Sequence, residues 1–121
     1  MAAQGTGLGP RLRPGAPITS AFRFTGLSGV KRRPALVLIV GREDLVVCAV
    51  TSRLSGRRDS VVLDGEDMSR GRLPRRSEIR PLKLFTIHRS LLRKVVGEVD
   101  SGILAEVHRV LLTEPESGRD G

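Results

Sequence analysis

At 121 residues the chain suits a single domain, long enough to bury a core and too short to divide comfortably into two. Its 21 Lys and Arg against 13 Asp and Glu give a formal charge of +8, which points to a polyanionic partner or a basic surface patch. A lone cysteine, Cys48, excludes an intrachain disulfide and argues against a cysteine-built zinc site, and no run of about 18 apolar residues offers a membrane span.

Residues 1–16, rich in Gly and Pro, read as a disordered tail without the apolar core a signal peptide requires, so a reducing cytoplasm is the expected setting. "ITSAFRF", Ile18 to Phe24, alternates loosely as a half-buried first strand. "TGLSGVKRRP" then reads as a polar and basic loop delivering the chain into "ALVLIV", a fully buried strand. "GRED" supplies turn residues before "LVVCAVTS", so the two runs should form an antiparallel hairpin. Its geometry brings Thr51, at the end of the second strand, near Arg33, at the mouth of the first.

Farther on, "DSVVL" reads as a short strand and "DGEDMSRGRLPRR" as a polar excursion. "SEIRPLKLFTI" is a strand pair or a bent strand interrupted by Pro81. "HRSLL" suits one helical turn and "RKVVGEV" another strand. Asp100 or Ser101 can cap a helix whose residues Ile103, Leu104, Val107, Val110 and Leu111 keep helical spacing until Pro115. The chain is therefore expected to be mainly β with a C-terminal amphipathic helix, its domain spanning 17–113, and 114–121 forming a flexible tail.

Charge is unevenly spread. Residues 1–94 carry 19 basic and 7 acidic side chains, whereas 95–121 carry 2 and 6, so the basic field belongs to the body of the domain. No carboxylate precedes Glu43, while Arg11, Arg13, Arg23, Lys31, Arg32, Arg33 and Arg42 accumulate, a stretch that favours phosphate. Phe22, Phe24 and Phe85 are the only aromatics, which leaves a very small platform for stacking bases.

The obvious catalytic types do not assemble. His108 falls on a polar helix position, and His88 follows a strand where a turn role suits it. Asp64, Glu66 and Asp67 are close together, but a solvated turn neutralised by nearby arginines explains them without a metal. No Ser-His-Asp arrangement emerges. What remains is Arg33 with Thr51, surrounded by Ser28, Lys31, Arg32 and Ser52. A guanidinium matches phosphate oxygens and can stabilise a phosphorane, and a threonine hydroxyl can add a hydrogen bond or help move a proton. The plainer account, a solvated loop beside a strand-end hydroxyl, stays open on composition alone.

At these same residues the sequence resembles the PemK/MazF family of type II toxin-antitoxin toxins. The matching segments are "FRFTGLSGVKRRPALVL", "LVVCAVTS", "IRPLKLFTI" and "LLRKVVGEV" before the final helix. The resemblance implies a small SH3-like barrel that forms a homodimer. It also implies an endoribonuclease that cuts single-stranded RNA (mRNA) at short sequences without metal or other cofactor, through the RNA's own 2′-hydroxyl. The products would be 2′,3′-cyclic phosphate and 5′-hydroxyl ends. The family's catalytic arginine corresponds to Arg33 and its catalytic hydroxyl to Thr51. Thr25, Ser28, Lys31, Arg32 and Ser52 would hold RNA, and an acidic antitoxin would occupy the same basic groove. A non-catalytic nucleic-acid-binding or regulatory barrel that keeps this groove is the alternative.

Overall fold

The computed structural model describes residues 12–23, 30–73 and 75–120, with 18–23, 30–33 and 114–120 described by backbone alone. Its centre is the hairpin of β2 (Val30–Val40) and β3 (Asp44–Thr51), paired from Val40–Leu45 to Ala35–Ala49 with a register shift between Val37 and Ile39. Gly41 makes the turn possible: its N–H donates to the Asp44 carbonyl at 2.8 Å, and a Cβ at Gly41 would lie 2.9 Å from that same oxygen.

Continuous apolar character in β2 reflects burial on both faces. Leu36 and Leu38 join Cys48, Val61, Leu63, Ile79, Val99, Val107 and Val110 in one cluster, whereas Ala35 and Val37 join Ala16, Leu45, Val47 and Ile87 in another. Around the hairpin, β1 (Pro17–Arg23), β4 (Val61–Leu63), β6 (Ser77–His88) and β7 (Leu92–Val95) complete a curled antiparallel sheet in the order β4-β6-β3-β2-β1-β7. A separate ribbon pairs β5 (Met68–Gly71) with β8 (Gly97–Val99). Helix α1 (Ser101–Asp120) closes the first cluster with Val107 and Val110, supported by Ile103, Leu104 and Leu111. The architecture is the expected one, mainly β with a half-barrel sheet and one C-terminal amphipathic helix.

Several boundaries differ from the sequence expectation. Strand β2 begins at Val30, so "VKRRP" is strand rather than loop: β1 pairs along it from Arg23–Val30 to Pro17–Leu36. Pro34 is tolerated because it is paired only with β1, opposite Thr19, while pairing to β3 stops at Ala35.

The polar excursion contains β5, stabilised by its ribbon with β8. "RKVVGEV" divides into β7 and β8, in different sheets. "SEIRPLKLFTI" is a single strand, and the residues around Pro81 absorb a register shift: Cys48 faces Leu84 but Ala49 faces Arg80. Helix α1 continues past Pro115, even though that residue cannot donate the helical hydrogen bond to Leu111.

Of residues 1–16, those before Leu12 lie outside the described residues. Residues 12–16 pack on the sheet: Ala16 is fully buried, Gly15 donates to the Val37 carbonyl at 2.7 Å, and Val99 donates to the Gly15 carbonyl at 3.0 Å. Gly15 takes a positive φ of 93°, a conformation that favours glycine.

Candidate active site and nucleic-acid groove

At the Thr51 end of the hairpin the surface opens into a basin of about 670 Å³. Pro34 and Ala35 of β2, Ala49 to Thr51 of β3, and Ser52 and Arg53 beyond it form one side; Arg80, Lys83 and Phe85 of β6 form the other. Three cations thus line an opening with no carboxylate among its lining residues. Such a basin favours a phosphate.

Thr51 sits at the basin because β3 ends there. Its Oγ1 accepts the Arg53 N–H at 3.1 Å, and a hydroxyl that accepts one bond still has a hydrogen to donate. Thr51 lies across from Glu78, and Ala49 across from Arg80, so strand alternation puts Glu78 and Arg80 on the Thr51 face of the sheet.

Glu78 is fully buried. Its Oε1 accepts the Ser55 N–H at 2.7 Å, while Oε2 accepts the Ser55 hydroxyl at 2.7 Å and the Arg80 Nε–H at 3.1 Å. Burial pushes its pKa upward, but the donors from Ser55, Arg80 and the Gly56 backbone outweigh that and hold the carboxyl below its ordinary value. With its two oxygens already engaged by these donors, Glu78 is poorly suited to take a proton from a substrate.

Placement of the other sequence candidates is uneven. Ser52 is exposed and lines the basin with Thr51. Lys31, Arg32 and Arg33 are placed by backbone register, opposite Phe22, Ala21 and Ser20 of β1. Thr25 and Ser28 lie outside the described residues.

His88 pairs with Asp44 at the opposite end of β3, about 23 Å along the strand from Thr51. Its Nδ1 accepts the Ser90 N–H at 3.1 Å, capping a 3-10 turn at Arg89–Leu91. His108 is exposed on α1. Asp67 accepts the Asp64 N–H at 2.8 Å and Asp64 pairs with Arg76 at 3.0 Å, the neutralised turn expected from sequence. Among the described residues, no three His, Cys, Asp or Glu side chains converge as metal ligands would.

Sequence reading missed Arg53, Arg80, Lys83 and the Glu78–Ser55 contact. One signal was present: Glu78 and Arg80 are two apart in a strand, hence on one face.

The sequence model for PemK-like, MazF-like toxins of type II toxin-antitoxin systems matches residues 22–113. The chain belongs to that family. PemK/MazF proteins are toxin-antitoxin endoribonucleases.

The structure resembles an endoribonuclease in complex with its cognate antitoxin from a mycobacterial species, with a TM-score of 0.66 at 16% identity over 85% of this chain and 93% of that one. MazE-MazF from Deinococcus radiodurans gives a TM-score of 0.65 at 26% identity, over 80% and 89% of the two chains. Mycobacterium tuberculosis toxin MazF-mt6 gives 0.61 at 19% identity, over 78% and 91%. The mycobacterial likenesses, at such low identity, concern the fold. No curated protein sequence matches the chain.

Proposed function

We propose that this PemK/MazF protein is the toxin of a type II toxin-antitoxin pair and cleaves single-stranded RNA, mRNA included, without a metal ion. The observation that carries the reading is the β2–β3 register. Continued two residues beyond Ala35–Ala49, that register would bring Arg33 across from Thr51, which lines the cation-rich basin.

In the proposed reaction the 2′-oxygen forms a bond to the adjacent phosphorus and the P–O5′ bond breaks. The 2′-hydroxyl proton leaves to a base and the 5′-oxygen gains a proton, giving a 2′,3′-cyclic phosphate and a 5′-hydroxyl. Negative charge builds on the non-bridging oxygens as the phosphorane forms. Arg33 stabilises that charge with a guanidinium that stays protonated throughout. Thr51 donates its hydroxyl to the phosphate or assists the proton transfer. Thr25, Ser28, Lys31, Arg32 and Ser52 bind the strand on either side.

The protein acts in the cytoplasm as a homodimer and arrests growth when its antitoxin is absent. That antitoxin presents an acidic segment to the basin, attracted by the same cations that draw RNA. Support for this partner comes from the two solved relatives that carry their antitoxins.

Incubation with mixed RNA in EDTA, beside RNA bearing a 2′-deoxy sugar at each mapped cut site, tests the chemistry. Cleavage in EDTA that the deoxy sugar blocks is expected. Cleavage that needs added metal, or that survives loss of the 2′-hydroxyl, contradicts the reading.

A further inference from the structure

Arg80 reaches the basin from β6, across from the side that carries Thr51 and Ser52. Its Nε–H is engaged by the buried Glu78 carboxylate at 3.1 Å, and its side chain is 23% exposed. A guanidinium held through Nε still has the end-on pair of N–H groups on its two terminal nitrogens facing another direction, a fork that suits phosphate oxygens.

Arg80 and Lys83 also line a second basin of about 300 Å³, together with Arg57, Asp59 and Leu82. Arg57 is paired with Asp59 at 3.2 Å and Arg80 with Glu78 at 3.1 Å, so the charge in excess of these two pairs is that of Lys83, beside the terminal amino groups of Arg80. The same two side chains therefore serve adjoining basins.

We propose that Arg80 is a phosphate-binding residue, positioned by Glu78 and Ser55, that takes the phosphodiester next to the one set against Thr51. This rests on the single-stranded RNA reading above. Glu78 acts at both ends of its contact. Through Arg80 it fixes one wall of the basin, and through the Ser55 N–H and hydroxyl, each at 2.7 Å, it anchors the segment that carries Ser52 and Arg53 along the other. Glu78 is thus a positioning residue, never touching the RNA.

The test measures binding of the full chain to a short 2′-O-methyl RNA of mixed sequence, which lacks the nucleophile, across a range of salt. Arg80→Gln is expected to weaken binding about tenfold. It should also make the dependence of log affinity on log salt shallower by about 0.7, the signature of one lost contact to a single strand. Arg80→Lys should keep the salt dependence and still bind more weakly, because a point charge replaces the fork. Glu78→Gln should weaken binding, and the double variant should lose less than the sum of the two single losses, because part of the Glu78 effect passes through Arg80.

An unchanged salt dependence in Arg80→Gln, or losses from the two positions that simply add, would overturn the proposal. If Arg80→Gln does not fold, full affinity in Arg80→Lys overturns it. Failure here is separable from failure of the nuclease reading. Cleavage with an unaltered salt dependence sinks the Arg80 role alone. A shallower dependence without cleavage sinks the nuclease alone, and no binding by the parent chain sinks both.

Discussion

Ala35 of β2 pairs with Ala49 of β3, and there the pairing of the two strands stops, although β1 stays paired with β2 through Pro34 and Arg33 to Val30. Pro34 has no N–H to donate, and the basin opens beside it. One sheet therefore pairs the Arg33 backbone with β1, while the pairing of β2 with β3 has already ended two residues away at Ala35. In the proposed reaction, that one-sided pairing would combine a fixed backbone with room for a phosphate beside it.

Acid should destabilise the protein partly through Glu78. Its carboxyl is held below its ordinary value of 4.5, so the native state binds that proton less readily than the unfolded chain. The stabilisation is fully present above pH 4.5 and is lost as pH falls through the lower, folded value. Denaturant titrations between neutral and strongly acidic pH should show a shallower acid loss in Glu78→Gln than in the parent. Parallel curves would remove Glu78 from the acid limb.

Cys48 should be chemically silent in the native state. Burial pushes its thiol up to about 12, against a small opposing effect of its backbone hydrogen bond, so almost no thiolate exists at neutral pH. Iodoacetamide at pH 8 should label Cys48 only as fast as the protein unfolds, and denaturant should accelerate labelling to the rate of a free thiol. Prompt labelling of folded protein would contradict this burial.

Gly97 should tolerate no side chain. It pairs with Gly71 across the β5–β8 ribbon, and a Cβ at Gly97 would collide with the Arg70 carbonyl oxygen, which is backbone and cannot rotate aside. Gly97→Ala should cost about 1–3 kcal/mol and lower the Tm by several degrees. Gly65→Ala, where a Cβ meets nothing within 4 Å, is the matched control and should leave the Tm nearly unchanged.

The hairpin was legible because its signals are local: an apolar run, turn residues, a second run. The helix face from Ile103 to Leu111 was legible for the same reason. Lys31 to Pro34 read as a loop because cations before a proline have no strand signature of their own. Their strand conformation comes from β1, a partner the local pattern does not identify. Strand β5 escaped notice because its ribbon depends on two glycines, Gly71 and Gly97, lying against each other from positions far apart in sequence.

The site divided along the same line. Thr51 and Ser52 followed from hairpin geometry, and they line the basin. Arg80, Lys83 and the buried Glu78 required the register of a third strand, shifted near Pro81. No spacing rule along the chain predicts that shift.

The pairing of Arg33 with Thr51 on one phosphodiester is most directly tested by the fragment ends produced from one RNA by the parent chain, Arg33→Ala and Thr51→Ala. The account predicts 2′,3′-cyclic phosphate and 5′-hydroxyl ends from the parent. It predicts a loss of about 100-fold or more in single-turnover rate for Arg33→Ala, and a smaller loss, with the same ends, for Thr51→Ala. Undiminished cleavage by folded Arg33→Ala, or 5′-phosphate ends from the parent, would contradict it.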